Sequence, residues 1–202
     1  MKKNNFNLIE LMVVTSIMGI LSSMLLPALQ NAREKGKSAV CVSQNKQMGI
    51  LMRNMAEDKS GYASYAKQEI FPYYYYWFRF MERDYLESNV TNVYSSTSHD
   101  LFFCPSADET SDGSYTKLAY GYNYYLYYRN VTLNSIESPS SMVMIGDSGK
   151  GSITSVLLTS NSYPLGDRHG GKANIVFADG HVEKGTHSQL LNYTDKPYLY
   201  EF

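Results

Sequence analysis

Neither sign of charge dominates this chain: 18 lysines and arginines face 19 aspartates and glutamates, for a formal net charge of −1. A nucleic-acid binder carries a basic footprint for phosphates, and the missing footprint excludes that class. No internal repeat at solenoid spacing occurs, so the chain is not a stacked array. Cysteine is scarce, with only Cys41 and Cys104. Long apolar stretches are scarcer still, and residues 6–29 form the one such run. From about Asp58 the chain turns polar, tyrosine-rich and punctuated by Ser-Gly, Asp-Gly and Ser-Pro turn signals. That remainder can bury one modest core but hardly two.

The apolar run constrains this protein more than any other feature. At about 1.5 Å per residue, a helix over residues 6–29 reaches roughly 36 Å, against a hydrocarbon core of about 30 Å. Its single charge is Glu10. A carboxylate within a membrane span costs about 2.5–3.5 kcal/mol on insertion scales, so it marks a function and calls for a counter-charge. Lys2 and Lys3 supply the basic start of a secretory signal, but the run exceeds an h-region of about 7–15 residues. Ser22 and Ser23 are also followed by more hydrophobics, not by a polar mature start. A plain signal anchor fits the length and leaves Glu10 unexplained. Two such helices packed with an axial stagger would bring the amino terminus of one beside Glu10 of the next. That contact is heterologous and repeats into an open filament. Ser16, Gly19, Ser22 and Ser23 are small enough to let two such helices approach closely.

Phe6-Asn7-Leu8-Ile9-Glu10-Leu11 after a short basic leader, with Pro27 near the end of the run, resembles the class III signal of type IV pilins and type II secretion pseudopilins. The resemblance implies a leader over residues 1–5, cut between Asn5 and Phe6 by a membrane prepilin peptidase that also methylates the new terminus. Asn5 stands where the family usually has Gly. It implies further that Glu10 is the assembly residue, pairing with the amino terminus of a neighbouring pilin-like subunit. Localisation is implied as well: a single pass in the bacterial inner membrane, head in the periplasm or outside, and a filament after assembly.

Beyond Pro27, residues 30–57 read as a continuing helix. Val40, Cys41, Met48, Leu51, Met52 and Met55 recur at helical spacing, with Arg33, Lys37, Lys46 and Arg53 mostly elsewhere. Cys41 lies on that apolar stripe. Cys104 ends Leu101-Phe102-Phe103-Cys104-Pro105, a short apolar run that reads as a strand end stopped by proline. An even cysteine count on an exported domain favours one disulfide, Cys41 to Cys104. The alternative is two small buried apolar side chains. The expected fold is α+β, pilin-like: a transmembrane and assembly helix over residues 6–57, packed on an antiparallel-sheet head over residues 58–202.

Two tyrosine clusters stand in the head, over residues 73–78 and 120–128. They suit sheets and half-buried layers, and less readily a platform for sugars or a partner protein. The first can continue as an amphipathic helix through Leu86. Ala173, Ile175 and Phe177 alternate with Asn174, Val176 and Ala178, which is strand periodicity. Asp179-Gly180 then reads as a two-residue type I′ hairpin turn, opposing Phe177 to Val182 and Val176 to Glu183.

His169, nine residues and then Asp179-Gly180 resemble the processing-associated C-terminal motif of some pilin-like proteins. Phe103-Cys104-Pro105-Ser106, Tyr120-Gly121-Tyr122-Asn123 and Ser138-Pro139-Ser140-Ser141 with Asp147 resemble the same family. Related pseudopilins carry calcium in the head, and Asp147, Asp167 and Asp179 are the oxygen ligands to consider if the fold gathers them. His169 and His181 lack tight transition-metal spacing. His169 as a loop cap and Asp179 bonded within its turn are the simpler expectation, with no metal. Gly146-Asp147-Ser148-Gly149 matches a serine-protease tetrad without upstream triad partners in workable places. Gly149-Lys150-Gly151-Ser152 lacks the first glycine of a P-loop. No enzyme is expected. The expectation is a pilin-like or pseudopilin subunit of a type II secretion or type IV pilus-like filament. The other class is a non-assembling, membrane-anchored protein that binds glycans or proteins at its surface.

Overall fold

The computed structural model describes residues 7–58, 60–61, 77–86, 99–107, 119–123, 126, 131–148, 165–166, 168–186 and 188–189. The fold is α+β, as the sequence predicts: one long N-terminal helix and a four-stranded antiparallel sheet. Helix α1 spans Leu8–Asp58, and Pro27 lies within it without ending it. The chain divides into two compact units, residues 1–36 and 37–202.

In the first unit, every residue from Asn7 to Leu29 is exposed, including Leu8, Leu11, Ile17, Leu21 and Leu25. This segment is long and apolar enough to cross a membrane. Its start is fixed locally. Asn7 Oδ1 accepts from the Ile9 amide at 3.3 Å, and Glu10 Oε2 accepts from the Asn7 amide at 3.1 Å. Asn7 is thus the N-cap and Glu10 the third helical residue of a capping box, satisfying two amides that the helix leaves without partners.

In the second unit, α1 presents Cys41, Asn45, Met48, Gly49, Met52, Met55 and Ala56 as one buried stripe. Val40, placed on the stripe by sequence, is exposed, and Leu51 is half-buried. The helix ends where Ser60 and Gly61 take positive φ and the Gly61 amide bonds back to Ala56 O at 2.6 Å. Helix α2, Trp77–Tyr85, buries Phe78 and Met81 against the same core.

The strands are β1 (Tyr120–Tyr122), β2 (Val143–Asp147), β3 (Ala173–Phe177) and β4 (Val182–Gly185), neighbouring one another in chain order. β2 and β3 are buried along their whole length because both faces are covered. One face packs Met144, Val176 and Ala178 with the stripe of α1, and the other gathers Val143, Leu165, Ala173, Ile175 and Phe177. The expected alternation in β3 therefore holds, with apolar cover on both sides.

Two local expectations are corrected. The hairpin register is Val176 to Val182 and Ile175 to Glu183, one residue away from the sequence reading. A type I′ turn needs positive φ at both central residues. Among the described non-glycine residues only Ser60 has positive φ, so Asp179 does not meet that condition, and Gly180 at +88° does. The connection is a longer one, closed by Phe177 N to His181 O at 3.0 Å and Gly180 N to Phe177 O at 2.9 Å. Cys104 also does not end a strand. It lies just beyond a 3-10 turn over Asp100–Phe102, capped by His99 Nδ1 accepting from the Leu101 amide. The side-chain acceptor at His99 favours that turn over an extended ladder.

Candidate functional site

Cys41 in α1 and Cys104 after the 3-10 turn form a disulfide with Cα atoms 5.5 Å apart, so the α1 stripe is stapled to the segment leading into β1. Both residues are buried. His169 lies against this bridge, with Nε2 3.4 Å from Cys104 Sγ. The same nitrogen is 3.7 Å from Asp147 Oδ2, an ion-pair distance too long for a hydrogen bond. Both side chains are fully shielded from solvent.

Asp147 ends β2, beside the first residues of β3. Its Oδ2 accepts from the Asn174 amide at 2.8 Å and from Asn174 Nδ2 at 2.9 Å, and its Oδ1 accepts from Asn45 Nδ2 at 3.3 Å. Asn45 Nδ2 also donates to Cys41 O at 3.1 Å. One carboxylate thus joins α1, β2 and β3. Burial pushes the Asp147 carboxyl above the ordinary range, against the Asn174 amide, the charges of Arg168 and His169, and Asn45. The Arg168 guanidinium donates to Ala119 O at 2.9 Å and to Ser148 O, placing a cation at the end of β2. Tyr120 donates to Gln44 Oε1 at 2.7 Å, and burial pushes its phenol upward.

The two ends of the His169-to-Asp179 motif meet α1 at two places. At the first end His169 touches the disulfide that begins on Cys41. At the other, Arg53 Nη1 donates to Asp179 O at 2.8 Å, while Asp179 Oδ1 accepts from the His181 amide at 3.0 Å and pairs with His181 Nδ1 at 2.5 Å. The His181 ring stacks on Phe177 with centroids 4.2 Å apart. His169 and His181 therefore serve opposite ends of β3. Asp147 and Asp179 are separated in the same way and do not gather into a calcium site, and Asp167 lies outside the described residues.

Asn5 and Phe6 of the expected cleavage site also lie outside them, as do Tyr73–Tyr76. From the second tyrosine cluster, Tyr120 and Tyr122 are buried in β1, which makes them core and not platform. Ser148 of the protease-like tetrad is 3 % exposed. Sequence reasoning missed Asn45, Asn174 and Arg168. Asn45 had a readable signal, since it interrupts the apolar stripe four residues after Cys41. No family model, curated protein or solved structure matches this chain.

Proposed function

We propose that this chain is a pilin-like or pseudopilin structural subunit, held in the inner membrane by the start of α1 before assembly into a secretion- or pilus-type filament. The observation that carries the reading is the exposed apolar surface from Leu8 to Leu29 with one carboxylate at its beginning, succeeded in the same helix by a stripe that belongs to a folded head. Such a surface needs lipid or other helices around it. In a filament, neighbouring copies replace the lipid, and Glu10 finds its counter-charge in the amino terminus of the next subunit. The partners are identical or related subunits and a prepilin peptidase, with cleavage between Asn5 and Phe6. The head needs no catalytic role in this scheme.

The Asn7–Glu10 capping box favours a second reading, in which Glu10 serves only its own helix and the chain is a non-assembling anchor for a glycan- or protein-binding head. Glu10→Gln separates the two. Glutamine keeps the capping hydrogen bond but carries no charge. The subunit reading expects Glu10→Gln, like Glu10→Val, to insert normally and to be lost from filaments that the natural chain forms. The anchor reading expects no filaments from either chain. Mass measurement of the amino-terminal peptide from native membranes completes the test: a methylated Phe6 supports the subunit, and an intact Met1 overturns processing.

A further inference from the structure

We propose that, when the disulfide is reduced, Cys41 Sγ, Cys104 Sγ, His169 Nε2 and Asp147 Oδ2 hold one divalent ion of the zinc class, so that bridge and metal are alternative states of one site. The ligand atoms of Cys41, Cys104 and His169 all lie within 4.8 Å of one another. His169 Nε2 faces Cys104 Sγ at 3.4 Å and Asp147 Oδ2 at 3.7 Å. Tetrahedral zinc, with Zn–S near 2.3 Å and Zn–N or Zn–O near 2.0–2.1 Å, needs S···N edges of about 3.5 Å and N···O edges of about 3.3 Å. Two of the edges are therefore already close to the required lengths. The two sulfurs must separate to about 3.8 Å once the bond between them is gone. The Asp147 carboxylate must also close on them as the fourth ligand, since only Cys41, Cys104 and His169 already lie within 4.8 Å of one another.

The surroundings suit a closed structural centre and not an open catalytic one. All four ligands are buried. Asp147 is oriented by the Asn174 amide, Asn174 Nδ2 and Asn45 Nδ2, the kind of outer support that holds metal-binding carboxylates in place. Because both amide groups donate to Asp147, Asn45 Oδ1 and Asn174 Oδ1 are left as buried acceptors without a hydrogen bond among the described residues. Two thiolates and a carboxylate around a divalent ion leave one negative charge. The Arg168 guanidinium beside the end of β2 balances it, as a buried charge requires.

The exchange between states balances simply. A dithiol reductant is oxidised to its disulfide and delivers two electrons and two protons to the sulfurs of Cys41 and Cys104. The ion then displaces both thiol protons to solvent. Oxidation by a disulfide takes the two electrons back, re-forms the Cys41–Cys104 bond and releases the ion. Either state ties α1 to the segment before β1, so the head keeps its staple in reducing as well as oxidising surroundings.

The test uses the full chain in detergent, reduced with a phosphine under anaerobic conditions and titrated with Co2+, then Zn2+. One Co2+ per chain is expected, with thiolate-to-cobalt absorption and the intense visible bands of a tetrahedral site, displaced by Zn2+ and absent from the oxidised chain. His169→Ala should weaken Co2+ binding at least tenfold and alter the visible bands. A reduced chain that binds no more Co2+ than the oxidised one overturns the proposal. So does a His169→Ala chain with unchanged affinity and spectrum. Should that variant not fold, the thermal midpoint of the reduced natural chain decides: a rise with Zn2+ confined to the reduced form supports the site, and no rise rejects it.

Discussion

Gly49 of α1 lies so close to Val176 of β3 that a methyl group on its Cα would fall 2.7 Å from Val176 Cγ1. The helix and β3 pack closely there, and the missing side chain is what permits it. Val176 is fully buried and branched at Cβ, so it has little freedom to turn aside.

Gly49→Ala should therefore destabilise the head despite alanine's better helix propensity. Overpacking costs about 1–3 kcal/mol, and the propensity gain of roughly 1 kcal/mol offsets only part of it. Combining it with Val176→Ala should recover stability relative to the sum of the two single changes. Denaturant unfolding of the four chains measures the coupling, and simple additivity would refute the contact.

Replacing both Cys41 and Cys104 with alanine opens a loop of 63 residues. Chain-entropy arguments put such a closure near 4 kcal/mol, with measured values commonly 2–4 kcal/mol. The variant should lose that much in denaturant unfolding. Insertion of the apolar segment should be unaffected, because residues 8–29 form no part of the head's core. A loss below about 0.5 kcal/mol would mean that the bridge constrains little in the unfolded chain.

Acid should act on the hairpin through Asp179. Burial opposes ionisation, but the hydrogen bonds from the His181 amide and ring, with the charge of His181, outweigh it and hold the carboxyl below its ordinary range. A carboxyl depressed in the folded state stabilises the fold above its unfolded value of about 3.9. That contribution is lost as pH falls through the lower folded value. Asp179→Asn can still accept from the His181 amide, yet it removes the titration. Its stability should fall less steeply than the natural chain's between about pH 4.5 and pH 2.5. Parallel acid limbs for the two chains would show that Asp179 is not responsible.

Much of this architecture can be read directly from residue order. Periodicities of 3.6 and 2 are local properties, and they mark the long helix and β3 without reference to any tertiary contact. The Asn7-x-x-Glu10 cap is equally local, although a charge in an apolar run points first to assembly. The hairpin register was missed because Asp-Gly suits two turn types. The choice between them depended on Asp179 bonding to His181 and on Arg53 reaching Asp179 O from a distant helix. Cys104 read as a strand end because an apolar run before proline does not reveal that His99 caps a turn.

The chain order by itself determined that residues 6–29 form an apolar helix with a lone carboxylate, and that an alternating, turn-rich head succeeds it. Each of these depends on neighbours a few residues apart. Only the tertiary structure decided that Asn45, Asp147, His169 and Asn174 gather around the Cys41–Cys104 bridge, which the even cysteine count already favoured. Their sequence positions are scattered, and burial together with antiparallel pairing supplies the proximity. The same holds for Gly49 and Val176, whose closeness depends on how one helix crosses one strand, a quantity that no short window of residues encodes.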